Sequence, residues 1–137
     1  MKIYGRHSVR WLCKHETGAA TVEMALVLPV FLLLVLGIME FGRAYWTLNS
    51  MQIAIDEAGR YAMINVAAPD SQIISVAQSN LYGLNPNDFT VTSQSKTINS
   101  INYKVITATY TFSFIAPGVL PFGNITLTRQ TTVPLVP

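Results

Sequence analysis

The chain has little with which to do chemistry. Its 137 residues include one cysteine, Cys13, and two histidines, His7 and His15, and all three precede Gly18. From Gly18 onward there is neither, which excludes from that part a Ser-His-Asp or Cys-His nucleophile system, a His/Cys zinc site and a disulfide. Asp56, Glu57, Asp70 and Asp88 show no metal-loop spacing, and no glycine pattern cradles a phosphate. Asp56 and Glu57 read as a solvated helix face. No catalytic residue, metal, cofactor or small-molecule substrate is expected. Charge is scarce throughout: 12% of residues are charged, against about 25% in a soluble domain. Half are hydrophobic, and that balance points to lipid.

The net charge of +2 hides an uneven split. Lys2, Arg6, Arg10 and Lys14 face only Glu16 before Gly18, whereas the remainder carries slightly more acid than base. The basic character belongs to the N-terminus and gives no argument for nucleic-acid binding.

What the sequence does have is a long apolar run. Ala19 to Met39 carries Glu23 as its only charge, and Met24 to Met39 is apolar without interruption. A helix over Ala19 to Met39 is about 31 Å long, matching a hydrocarbon core of about 30 Å. The four cations before it, against Arg43 after it, place the N-terminus in the cytoplasm and the following residues outside. An uncleaved signal anchor and a secretory signal peptide cut after Ala44, at Gly42-Arg43-Ala44, are the plainer readings. Against the second, the apolar stretch of 16 residues exceeds the usual upper bound of about 15, and the lead-in is unusually long. No apolar run precedes Cys13, as lipidation there would require.

Glu23 discriminates among these readings. A carboxylate at a bilayer centre costs roughly 2.5–3.5 kcal/mol on insertion scales and usually marks a function or a partner. Glu23 lies about one turn inside the apolar segment, and with two methylenes it snorkels poorly. If the chain begins at Ala19, an α-ammonium and this carboxylate sit one turn apart. Neighbouring helices then pair the two charges, which offsets desolvation and fixes axial register.

A basic leader ending in Gly18, then "AATVE" with Glu23 fifth, then an apolar helix, resembles the type IV pilin pattern and its class III signal peptide. More narrowly, "GAATVEMALVLPVFLLLVLGIMEFGRAYW" and the downstream "AIDEAGRYA" resemble the TadE-like pseudopilins of the tight-adherence (Flp) pilus system. The resemblance covers residues 6 to 66. Where that family often carries Phe or Tyr after the glutamate, this chain has Met24. The resemblance implies cleavage by prepilin peptidase between Gly18 and Ala19, with Glu23 as the assembly and register carboxylate. Pro29 is tolerated in a membrane helix.

Beyond the membrane, Tyr45, Leu48, Met51, Ile55, Ala58 and Ala62 keep helical spacing, and Asp56 and Arg60 form an i,i+4 pair. The pattern predicts one helix from Ala19 to Val66, broken at Ala67 to Asp70. Asp70 then caps a second helix, Ser71 to Tyr82, that ends at Gly83. Glu40 and Arg43 read as interfacial, with Tyr45 and Trp46 as aromatic anchors. Alternation predicts strands at 89–95, 102–115 and 124–133, joined by an apolar loop at 116–123. The expected fold is α+β: a long N-terminal membrane-spanning helix continuing into a small extracytoplasmic domain with a short second helix and a three-stranded antiparallel sheet. The expected divisions are a leader at 1–18, a transmembrane helix at 19–39 and an outer domain at 40–137.

The resemblance implies a minor pilin or pseudopilin of the bacterial cytoplasmic membrane, a structural or priming subunit of a pilus used in surface adhesion. Its implied partners are the membrane, prepilin peptidase, the pilus assembly ATPase with its membrane platform, the major Flp-type pilin and other pseudopilins. The alternative is a secreted or anchored extracytoplasmic binding module for which the apolar segment is only delivery.

Overall fold

The computed structural model of the chain describes residues 16–115 and 123–135. The basic leader through residue 15, with Cys13 and both histidines, and residues 116–122 of the apolar loop lie outside the described residues. The elements run in the order α1 (Glu16–Ile64), α2 (Asp70–Ser79), a 3-10 turn (Pro86–Asp88), β1 (Phe89–Ile98), β2 (Ile101–Phe112) and β3 (Ile125–Leu135). The predicted α+β arrangement of a long apolar helix, a short helix and a three-stranded antiparallel sheet is the one observed. Two compact units divide between Met39 and Glu40.

In the first unit α1 passes through Pro29 without a break, and the side chains from Gly18 through Leu34 are exposed. From Gly18, the helix has an 18-residue window with a mean hydropathy of 2.6, long and apolar enough to cross a membrane. The helix starts earlier than expected, at Glu16, so Gly18 is helical. A glycine costs only about 0.5–1 kcal/mol relative to alanine inside a helix, too little to stop one.

The second unit is organised by the stripe of α1. Met51, Ala54, Ile55, Ala58 and Ala62 are buried against Phe89 and Val91 of β1 and Ile106 and Ala108 of β2, with Ile73 and Ala77 of α2 completing the core. Small residues let the helix lie close to the sheet. A Cβ on buried Gly59 would stand 3.0 Å from a Val133 methyl and 3.5 Å from that of Thr131. The stripe begins later than predicted, because Tyr45 is exposed and Leu48 only partly covered. Nor do Asp56 and Arg60 pair. Asp56 accepts from Gln52 at 3.0 Å, and Arg60 lies 3.5 Å from Glu57, one helical step closer.

The second helix also departs from expectation. Its N-cap is Pro69, whose carbonyl accepts from Gln72 at 3.0 Å, and no side chain caps it. Asp70 is instead the first helical residue, with its carboxylate turned to the sheet. The helix stops at Ser79, short of the expected Tyr82. There the Ser79 hydroxyl, the Asn80 amide side chain and the Asn80 N–H all donate to the Val76 carbonyl, ending the regular ladder.

Strand order is β1-β2-β3, with Val91 opposite Ala108 and Ala108 opposite Arg129. The first strand is three residues longer than predicted. Asn99 and Ser100, at φ of 50° and 67°, make a two-residue turn that pairs Ile98 with Ile101. Two left-handed central residues are what a type I′ hairpin turn requires. On the helix side of β2, Ile106, Ala108 and Phe112 are buried as expected, and so is Lys104, which alternation assigns to the same face.

Candidate processing and assembly sites

The residues singled out at the start of the apolar segment lie on successive turns of α1. Gly18, Ala19 and Glu23 are exposed, and a side chain added at Gly18 would meet nothing within 4 Å. Glu23 lines a shallow groove with Ala20, Met24 and Val27. Those positions recur at helical spacing, so the groove is one face of a single helix with small Ala20 beside the carboxylate. A second helix could approach closely there.

A different cluster forms at the other end of the apolar run, on the second unit, and it was not legible as a site in the sequence. Glu40 is the first residue after Met39 and only 3% exposed. Its Oε1 accepts the backbone N–H of Ile115 at 2.6 Å, and its Oε2 accepts from Arg43 Nη1 at 2.5 Å. Arg43 donates its other nitrogen to the Ser113 carbonyl at 3.4 Å and lies 4.8 Å from the centre of the Phe112 ring. Phe112 and Phe114 meet edge to face, with centroids 5.5 Å apart. One turn of α1 thereby holds the segment just after β2 directly through Glu40 Oε1 and indirectly through Arg43, which the other carboxylate oxygen orients. Glu40 and Arg43, read as interfacial from the sequence, form a junction, buried at Glu40 and partly exposed at Arg43, with backbone groups some 70 residues away.

Next to this junction, Arg43, Trp46, Thr47, Leu84, Tyr110 and Phe112 enclose an open cavity of about 210 Å³. The Arg43 guanidinium at its edge is paired with Glu40 and stays partly exposed, so the cavity offers aromatic walls beside a compensated charge. Trp46 is half exposed and covers Gly83. A Cβ built there would come within 2.6 Å of the indole Cη2, and Gly83 has φ of 68°. Opposite this end of the domain lies the Lys104 cluster. The Lys104 ammonium, 6% exposed as a residue, donates to Asp70 Oδ1 and to Ser95 Oγ, both at 2.8 Å, while Ser93 also donates to Asp70 at 2.8 Å. The Lys104 and Ser93 bonds hold the Asp70 carboxyl below the ordinary aspartate value of 3.8. This triangle is a strut between α2, β1 and β2, with the Lys104 ammonium buried and the Asp70 side chain half exposed.

Among the described residues, no group of three or more His, Cys, Asp or Glu side chains could hold a metal ion. No curated protein and no solved structure matches the chain. The family described as TadE-like protein matches residues 18–60. That family is one of structural pilins and suggests involvement in tight-adherence (Tad) pilus systems. The match opens on Gly18, takes in Glu23 and the whole apolar run, and closes at Arg60 among the core residues of α1, so that this segment is TadE-like.

Proposed function

We propose that the chain is a minor pilin or pseudopilin of a tight-adherence pilus, made as a precursor and cleaved between Gly18 and Ala19 by prepilin peptidase. Residues 1–18 are the cytoplasmic leader, 19–39 the span of the bacterial cytoplasmic membrane, and 40–137 the outer domain. The observation that carries this reading is the TadE-like match, which begins at Gly18 and contains Glu23 and the apolar helix in one stretch. The exposure of the whole apolar face supports it, since a helix that finds no core in its own chain must be covered by lipid or by other helices.

Mechanistically, cleavage creates an α-ammonium at Ala19 one turn from Glu23. In a bundle of such helices the carboxylate of one subunit pairs with the ammonium of its neighbour, and the pair sets axial register. Small Ala20 on the same face permits the approach. The subunit enters or primes the pilus through an assembly ATPase and its membrane platform, alongside the major Flp-type pilin and other pseudopilins.

The test is the N-terminus of the protein isolated from its native membranes, read by intact mass and peptide mapping. A chain beginning at Ala19 supports the proposal. One beginning at Tyr45 makes the protein a secreted binding module, and one beginning at Met1 leaves a plain anchor. Glu23→Ala is expected to insert in the membrane as well as the native chain and to lose pilus assembly; normal assembly removes the role given to the carboxylate.

A further inference from the structure

We infer that the end of the outer domain around Glu40 is a seat for phospholipid headgroups. The inference rests on the reading that residues 19–39 cross a bilayer. Phe41 is 77% exposed, and it follows Met39 by two residues, about 3 Å along the helix. A membrane holding 19–39 therefore has its headgroup layer at this height. Ile115 is 63% exposed, and its backbone N–H is bonded to the Glu40 carboxylate, which fixes it beside the same turn of α1. Ile125, opposite Phe112 in the sheet register, is partly exposed at the same end. Phe41 and Ile115, from segments distant in sequence, thus stand exposed beside the turn where the helix leaves its apolar run.

The polar group at this rim fits the same occupant. The Arg43 side chain is 41% exposed, held in place by Glu40 and Phe112, with guanidinium surface left over. A fixed guanidinium beside aromatic and aliphatic side chains matches the interfacial layer, where phosphate lies just above the acyl chains. The Ile115 contact to Glu40 uses the backbone, so the side chain remains available to lipid.

The experiment uses the full chain carrying Cys13→Ser, with one cysteine introduced by Leu34→Cys, Ile115→Cys or Ile64→Cys. Each variant is labelled with an environment-sensitive fluorophore and inserted at low density in phosphatidylcholine/phosphatidylglycerol vesicles with or without doxyl lipids. The expected result is loss of fluorescence to doxyl lipid at positions 34 and 115 and none at 64. Quenching at 34 with position 115 behaving like 64 overturns the seat while leaving the membrane reading intact. Absence of quenching at 34 overturns both. Shielding of position 115 that needs high protein density, without lipid quenching, assigns the rim to a second copy of the chain and overturns the lipid seat.

Discussion

Glu40 and Ile115 are 75 residues apart in sequence, and the carboxylate of the first accepts a hydrogen bond from the backbone N–H of the second at 2.6 Å. With Arg43 on its other oxygen, Glu40 is buried and doubly bonded at the point where α1 leaves its apolar run. A carboxylate in that position is stable only while both partners are present.

Glu40→Ala leaves an unpaired amide and an Arg43 without its anion, and the cost expected for such orphaned groups is about 1–3 kcal/mol. For a domain of this size that is a fall in Tm of roughly 4–8 °C for each kcal/mol. Glu40→Gln keeps an acceptor for the Ile115 N–H and loses only the charge opposite Arg43, so its loss is smaller. Thermal unfolding of the detergent-solubilised chain, followed by near-ultraviolet circular dichroism, ranks the three proteins; equal Tm values for Ala and native remove the junction's structural role.

Gly83 and Trp46 supply a second prediction. Alanine at 83 would occupy a left-handed conformation, costing about 1–2 kcal/mol, and would also drive its Cβ into the indole ring. Gly83→Ala is therefore expected to destabilise the domain and shift Trp46 emission. In a Trp46→Ala background the steric part disappears and only the backbone part remains. A double-mutant cycle on Tm measures this coupling, and additive effects argue against the contact.

The β1–β2 turn allows a change in the favourable direction. Serine at φ of 67° carries a penalty that glycine does not, whereas asparagine at position 99 tolerates its left-handed φ. Ser100→Gly produces the Asn-Gly pair favoured in type I′ turns and is expected to raise stability by about 1 kcal/mol. Denaturant unfolding reads the gain in midpoint at unchanged slope.

These residues also show what could be read in advance. Met51, Ile55, Ala58 and Ala62 announce a buried helix face through spacing alone, and the strands through alternation, because those signals are periodic and local. Gly18 and Glu23 stand out through their spacing at the head of an apolar run. Glu40 gives no such signal, since its main partner is a backbone N–H that every residue but proline possesses. The Asn99-Ser100 turn lacks the glycine that usually marks a hairpin, so the first strand reads as ending too soon. Lys104 sits on the inward face by alternation, yet a lysine between Tyr103 and Val105 reads as exposed until Asp70, 34 residues earlier, is found beside it.

The Asp70–Lys104 pair makes the last prediction, in pH. The folded state holds the Asp70 carboxyl below 3.8, chiefly through the Lys104 bond and then through Ser93. A carboxyl whose pKa is depressed by folding contributes stability that is fully present above its unfolded value and is lost as pH falls through the folded one. The native chain should therefore lose stability below about pH 3.8, where protonation empties the acceptor facing a buried ammonium. Asp70→Asn removes this part of the acid dependence and lowers stability at neutral pH, because the buried Lys104 ammonium loses its counter-charge and keeps only neutral acceptors, Ser95 and the amide oxygen at position 70. Lys104→Met removes the same pH dependence at less cost, since the thioether packs among apolar neighbours and the half-exposed Asp70 can turn to water. Tm measured from pH 2 to 7 for the three proteins decides the matter. A native acid limb that survives unchanged in Asp70→Asn would show that other carboxylates set it.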